Sequence, residues 1–395
     1  MSRTSNTGLD ALLARAELLA TDTGLEEVAR WKASHPGRPV IGHMPIYTPL
    51  PLLEAIGCLP VALFGGGDQT DIIKGDSYFQ SYICHLPRST IELGLNGSYD
   101  DLDGVIFPSI CDVIRNLSGM WKLLFADKFA TYMDLPQSFL PRVGGTFYIS
   151  EMRRIAKALE AYGASPLSDD RLRVAITDEN RRRGALRSID EVRRTSPWKL
   201  TASESYVLVR AGAQLTAAAH AELLEEALVA IDTRETHPVD NVRVVLVGAF
   251  CEQPPLGLLR TLERASCDIV ADDLQLGFRY LEADIDAEAE DPLAALCDAY
   301  IRHGTACSSR YIGDEVKGQA LLEIVSTYEA DGVIFGAPSF CDPALLDQPM
   351  LEVALERAGV PYTEFKYAEN NAQFQVIREQ AGAFSDAVKL WGSSP

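Results

Sequence analysis

Basic residues are the shortfall of this 395-residue chain: 36 Lys and Arg stand against 56 Asp and Glu, for a formal net charge of -20 and a pI near 4.7. So acidic a surface repels phosphate backbones, which excludes nucleic acid as an expected partner. Long apolar runs are missing as well. No stretch approaches the roughly 20 residues that a membrane helix needs, so no membrane partner is expected. Residues 1–20, MSRTSNTGLDALLARAELLA, break their apolar pattern with Asp, Arg and Glu. They read as an amphipathic helix and not as a signal peptide, and the expected location is cytoplasmic. No Gly-Lys pair occurs, hence no P-loop; no GxGxxG follows a strand; GxSxG, HExxH and CxxC are absent. Any ATP or dinucleotide chemistry is therefore expected from another subunit.

What is present describes a folded protein. Apolar residues make up 47% and charged residues 23%, and a chain of this length exceeds one ordinary core, so two globular domains are expected. Without an export signal, the eight cysteines read as free thiols or metal ligands and not as disulfides. The basic runs Arg181-Arg182-Arg183 and Arg193-Arg194 read as solvated helix faces.

Two segments repeat. Residues 103–112 are DGVIFPSICD and residues 331–342 are DGVIFGAPSFCD, the same pattern with a two-residue insertion. Each is a short apolar run that breaks at Pro-Ser, places a thiol and then offers Asp to cap a helix. LEAIGCLPVAL from Leu53 likewise aligns with LERASCDIVAD from Leu262, setting Cys58 opposite Cys267 at a helix-to-strand turn. Strands are expected at 40–46, 61–64 and 105–107, with a helix over 51–56 and a long one after Asp112. Mostly helical sequence over 149–231 breaks near Pro197, and VRVVLVGAF from Val242 opens a second alternating unit. The expected architecture is α/β: two Rossmann-like, doubly wound parallel-sheet domains related by internal duplication, over 1–148 and 236–395, with a helical connector over 149–235. Ligands of such sheets bind beyond the carboxyl ends of the strands, where Cys111 and Cys341 fall.

The remaining cysteines sort by position. Cys58 and Cys267 lie at the amino ends of strands and Cys297 at a core position of a helix, so packing explains them. Cys111 and Cys341 lie near helix N-termini, where the macrodipole and free N–H groups favour a thiolate and an anionic metal centre. Thiols from the two halves could thus meet at one metal centre. Cys84, read as lying near the end of a helix that Pro87 interrupts, is the third candidate ligand. Cys251, after the first strand of the second half, and Cys307, in GTACSSRY, could supply a fourth ligand or line a pocket. His85 and His43 read as core histidines or as supports for the ligands. Asp112 and Asp342 stand beside the thiols, and Ser109 and Ser339 could hydrogen-bond a metal-bound sulfur, although the loop backbone is their expected partner. The Gly65-Gly66-Gly67-Asp68 run ends the second strand, where it either admits a ligand close to the backbone or forms a surface turn.

The paired DGVIFPSICD and DGVIFGAPSFCDP segments, PLPLLEAIGCLPVALF and VRVVLVGAFCEQPPLGLLRTLERASCDIVADD resemble the 2-hydroxyacyl-CoA dehydratase and benzoyl-CoA reductase family over nearly the whole chain. GGGDQT and YICHLPRSTIELGLNG look most like the smaller cluster-bearing subunit on the benzoyl-CoA-reducing branch. The resemblance implies a 4Fe-4S cluster held between the two domains by Cys84, Cys111 and Cys341. It implies a larger homologous cluster-bearing subunit, a two-subunit ATPase activator with its own 4Fe-4S cluster, reduced ferredoxin as electron donor and an acyl-CoA substrate. The implied reaction is radical reduction of the aromatic ring of benzoyl-CoA to a cyclohexadiene-carbonyl-CoA. An aromatic ring accepts a first electron reluctantly, so such a cluster must be strongly reducing and shielded from water. Helix termini raise its potential, and apolar burial with few hydrogen bonds to sulfur is expected to offset them. Two rivals stand: a dehydratase subunit that eliminates water, and a zinc or small-molecule-binding structural protein with three Cys and His85 or His43 around the metal.

Overall fold

Short apolar strands alternating with helices build two separate sheets in the structure, a computed structural model that describes residues 7–249, 253–274, 281–305, 307–310, 316–368 and 373–391. The first sheet comprises β1 (Val40–His43), β2 (Leu59–Ala62), β3 (Gly104–Pro108) and β4 (Phe129–Met133) in the order β2-β1-β3-β4. The second comprises β5 (Val242–Val247), β6 (Cys267–Asp272), β7 (Gly332–Pro338) and β8 (Tyr362–Tyr367) in the order β6-β5-β7-β8. Every pairing is parallel, and the inner strands are buried along nearly their whole length, as sheets covered on both faces require. The fold is α/β.

Before and within the first sheet come α1 (Thr7–Thr21), α2 (Glu26–Ser34), α3 (Leu50–Ala55), α4 (His85–Leu95) and α5 (Asp112–Leu124). The helical stretch resolves into α6 (Thr146–Leu159), α7 (Asp169–Thr195), α8 (Ala202–Ala211) and α9 (Ala217–Asp232). Around the second sheet lie α10 (Leu256–Arg264), α11 (Pro292–His303), α12 (Gln319–Thr327), α13 (Asp342–Ala358) and α14 (Phe374–Trp391). β1 stops at His43, earlier than expected, and β2 begins two residues sooner than its apolar run suggests. β4 is an edge strand, FATYM, whose faces alternate between buried and half-buried. So short an alternation carries little signal, and no strand is expected there from sequence.

The repeated words make repeated hydrogen bonds. The carboxylates of Asp103 and Asp331 accept the N–H groups of Val40 and Arg243, each at 2.8 Å, tying the start of β3 to β1 and of β7 to β5. Past the strand ends, the Ser109 N–H donates to Met133 O at 2.9 Å and the Ser339 N–H to Tyr367 O at 2.7 Å. Glycine follows each Asp because the neighbouring backbone is too close for a side chain. A Cβ at Gly104 would lie 2.5 Å from Phe129 O, and one at Gly332 2.8 Å from Pro361 O.

The hydrophobic cores do not follow chain order. The largest surrounds the first sheet, yet it takes in Leu281, Ile285, Leu293, Leu296, Tyr300, Ile301 and Cys341 from far downstream. Thus α11 packs against α6 and α7 although its sequence belongs to the second half. A second core joins α1 and α7–α10 to one face of the second sheet, and a smaller one covers the other face with α12 and α13.

At the junction runs α7, 27 residues long. Its position corrects the expectation of solvated basic faces: Arg181 is exposed and Arg194 partly so, but Arg182, Arg183 and Arg193 are buried. Each is matched. Arg182 pairs with Glu179, Arg183 donates to Leu281 O at 2.8 Å, and Arg193 reaches Asp272 at 2.5 Å. A helix packed on both sides cannot keep a whole face in water, so its arginines serve as hydrogen-bond donors to the segments that cover it.

Candidate metal centre

Three segments leave the carboxyl ends of strands and turn into helices, and each turn carries a cysteine at the N-cap. They are Cys84 before α4, Cys111 before α5 and Cys341 before α13. The placement of Cys84 corrects the sequence expectation. It starts a helix instead of standing near the end of one, and Pro87 sits in the first turn, where an N–H has no intrahelical partner to lose. α4 packs against α5, the helix that Cys111 opens.

Cys111 and Cys341 come from different halves, and Cys341 lies near enough to bias the Cys111 thiol electrostatically. Burial raises the Cys111 thiol pKa above its ordinary value. The N–H groups of Ile114 and Val113 pull it back, and the neighbouring Cys341 and Asp112 push it up further. Those amides are orphan donors of the first turn of α5; they lie beside the sulfur, and the Cys111 side chain makes no capping hydrogen bond. Cys341 is buried while its predecessor Phe340 is half exposed, a reversal achieved by a left-handed Phe340 backbone at φ 66°. The sulfur of the second half thereby enters the core of the first.

Among the described residues, no three His, Cys, Asp or Glu side chains stand close enough to hold one metal ion. Thiolates sharing a single zinc at about 2.3 Å would have to crowd to within roughly 4 Å of one another. Ligands of a four-iron cube occupy separate corners and stand farther apart. Three N-cap thiols, with Cys341 near enough to bias Cys111 and first-turn amides beside the Cys111 sulfur, suit an anionic cluster better than a lone cation.

The other sequence candidates divide. Cys251 lies outside the described residues. Cys307 is half-buried and bridges the halves: its Sγ is 2.6 Å from the Tyr47 hydroxyl and 3.3 Å from Ser309 Oγ. His85 is the buried first residue of α4, directly after Cys84. His43 is also buried, its Nδ1 is 3.2 Å from Met44 O, and its pKa is lowered to about 4 by burial, partly restored by that carbonyl and lowered further by Arg182. It stays neutral at physiological pH. Asp112 and Asp342 are exposed first residues of their helices. The Ser109 hydroxyl accepts the Leu135 N–H at 2.9 Å, which is the loop-backbone role; Ser339 is held through its main chain. Cys58 and Cys267 are buried at strand starts with thiols pushed up to about 12 by burial, and Cys297, up to about 11, donates to Gly145 O at 3.4 Å.

An aromatic wall that no sequence motif marks lies in the same core. Tyr47, fully buried in a left-handed backbone at φ 67°, meets Tyr300 edge-on at 5.4 Å, and Tyr148 donates to Tyr47 O at 3.3 Å. Arg310 lies 4.5 Å above the Phe139 ring and beside Tyr300. These rings are scattered along the chain; the only signal is that Tyr47 follows a strand on the site side.

A buried charge cluster lies where α3, α7 and α9 meet. Glu54 on α3 accepts the Ala217 N–H at 2.8 Å, and its carboxyl is pushed up to about 7 by burial, against the pull of Arg182 and that N–H. Its folded pKa thus exceeds the ordinary 4.5, so its contribution to stability is complete below about pH 4.5 and is lost as pH rises through about 7. Glu54→Gln should therefore gain on the parent by roughly 2–3 kcal/mol above pH 7 and by little near pH 4.5. Denaturant midpoints at pH 5 and pH 8 check this, and an equal difference at both would refute it.

Comparison with known proteins gives consistent results. Residues 45–388 match the family described as 2-hydroxyglutaryl-CoA dehydratase, D-component. The C-subunit of benzoyl-CoA reductase from Thauera aromatica is 45% identical over 96% of this chain and 98% of its own length. The (R)-phenyllactyl-CoA dehydratase beta subunit of Clostridium sporogenes is 26% identical over 89% of this chain and 92% of its own. The beta subunit of (R)-2-hydroxyglutaryl-CoA dehydratase from Acidaminococcus fermentans is 24% identical over 91% and 95%.

Proposed function

Because the chain belongs to the 2-hydroxyglutaryl-CoA dehydratase D-component family, we propose that it is the iron-sulfur subunit of an ATP-dependent benzoyl-CoA reductase, an oxidoreductase that reduces the aromatic ring to a cyclohexadiene-carbonyl-CoA. The observation that carries this reading is 45% identity along almost the entire length of one subunit of a benzoyl-CoA reductase. Cys84, Cys111 and Cys341 would hold a 4Fe-4S cluster, which when bound supplies single electrons at low potential. Among the described residues no helix is long and apolar enough to cross a membrane, and the reading places the protein in the cytoplasm. Its partners would be a larger homologous cluster-bearing subunit, a two-subunit ATPase activator with its own 4Fe-4S cluster, reduced ferredoxin and the acyl-CoA.

The chain's own residues supply the surroundings. First-turn N–H groups of α5 solvate negative charge on the Cys111 sulfur, while burial of Cys341 keeps water from its side of the centre. Tyr47, Tyr148 and Tyr300 close the adjoining core, and the Tyr47–Cys307 contact ties the two halves together beside it. We read Cys307 as part of that wall and not as a fourth ligand. The common strand order, and the matching bonds of Asp103 with Asp331 and of Ser109 with Ser339, support two duplicated Rossmann-like units over 1–148 and 236–395, joined by the connector over 149–235.

The family name and the relatives at 24–26% identity favour a second reading, a dehydratase subunit that removes water without net reduction. Counting reductant against product in the reconstituted complex separates them. Two electrons consumed per benzoyl-CoA reduced are expected, and water elimination from a 2-hydroxyacyl-CoA with only catalytic electron input would overturn the reductase assignment.

A further inference from the structure

Between β2 and Cys84 the chain runs through a long arc with no core of its own. Its regular structure is two short 3-10 turns, Gly67–Gln69 and Gly75–Tyr78, and it leaves Ile73 75% and Tyr82 63% exposed. Beyond Leu63 and Phe64 at its start, and Phe79, which packs on the first core, apolar contact does little to hold it in place. One carboxylate oxygen on the next helix does more. Glu92, two turns into α4, points its Oε2 at three successive amides, accepting the N–H of Ile73 at 2.9 Å, of Lys74 at 2.6 Å and of Gly75 at 2.8 Å. Consecutive N–H groups converging on one point form an anion nest, and here the anion is the protein's own side chain. Burial works to raise the Glu92 pKa, but the three N–H groups outweigh it and hold the carboxyl below its ordinary value.

The surrounding contacts share one geometry. Gly75 is pressed so closely to α4 that a Cβ there would lie 2.2 Å from Arg88 O. Arg88, one turn after Cys84, pairs with Asp76 at 2.8 Å and directs its Nε to Cys84 O at 3.5 Å. The helix that begins at Cys84 thus grips, at Arg88 and Glu92, the arc that delivers Cys84 to it.

We propose that Glu92 is a positioning residue for Cys84: by filling the 73–75 nest it fixes the arc and sets the thiol at the head of α4. The proposal rests on the reading of Cys84 as a cluster ligand for its functional meaning, but the clamp itself is measurable without a cluster. In cluster-free full-length protein, iodoacetamide labelling of Cys84, followed by peptide mass mapping, should quicken by about tenfold or more in Glu92→Ala. Glu92→Gln, whose amide oxygen still accepts but carries no charge, should give a smaller increase. Cys111 and Cys58 should change by less than about twofold, since a local opening leaves the core closed. Gly75→Ala lifts the same arc from its other side and should reproduce the Cys84-selective effect, covering the case in which Glu92→Ala fails to fold. An unchanged Cys84 rate in both variants, or an equal increase at every cysteine, overturns the clamp. Reconstituted with iron and sulfide alongside its partner subunit, Glu92→Ala should also release iron about tenfold faster than the parent. Faster Cys84 labelling with unaltered iron retention would uphold the clamp and remove Cys84 from the ligand set.

Discussion

Cys111→Ser, purified without air in the complete complex, is expected to lose most of its iron and to reduce benzoyl-CoA more than about 100-fold more slowly, beyond the usual cost of losing even an outer partner of a ligand. Serine keeps the N-cap geometry, because its hydroxyl accepts the same first-turn amides that lie beside the Cys111 sulfur. The helix should therefore survive and the loss should be specific to the metal. Cys341→Ser should behave alike, since Cys341 is the buried N-cap of α13 and enters the core of the first half. Cys58→Ser provides the contrast: a hydroxyl at that buried strand start costs about 1–3 kcal/mol of stability while iron remains bound. Full iron content and normal turnover in Cys111→Ser would end the cluster assignment.

The largest stability loss is expected from Arg182→Ala. Arg182 is fully buried, pairs with Glu179 and acts electrostatically on Glu54, His43 and His220. Removing it strands the Glu179 carboxylate in a place water does not reach, at a cost of about 3–5 kcal/mol. At roughly 1 °C per kcal/mol for a chain of this size, the melting midpoint should fall by about 4–6 °C. The compensated pair Arg182→Met with Glu179→Gln removes both charges and should recover most of that fall, since replacing a buried ion pair is far cheaper than breaking one. Calorimetry of the parent, single and paired variants tests the point, and a drop below about 2 °C for Arg182→Ala would show that the charge cluster is not structural.

Legibility in the sequence follows the length of the physical signal. β3, β5 and β7 are continuous apolar runs because both faces are covered, and the duplicated DGVIF words locate two of them together with the thiols that follow. Cys111 and Cys341 are readable because strand, turn, thiol and capping Asp lie within a dozen residues. Cys84 falls at the wrong end of its helix in a reading from sequence because Pro87 looks like a breaker. Whether a proline opens or ends a helix depends on which side the hydrogen-bonded turns lie, and SYICHLPRST does not say. The arginines of α7 mislead for a related reason. Their spacing suits a wet face, and tertiary neighbours keep the water out: the segment at 281–290 over Arg183, α3 and α9 around Arg182, and Asp272 beside Arg193. Tyr47, Tyr148 and Tyr300 meet through tertiary contacts that no local pattern announces.

The borrowing of α11 by the first sheet has a consequence for how the protein is made. A ribosome releases the four N-terminal strands long before Leu293, Leu296, Tyr300 and Ile301, so the nascent lobe emerges with one flank of its interior uncovered. Until translation has passed the second lobe's opening strands, that flank exposes apolar surface of the kind that invites aggregation. For the same reason, expressing the amino-terminal lobe by itself should yield aggregate, whereas supplying residues 281–303 on a second polypeptide should rescue its solubility.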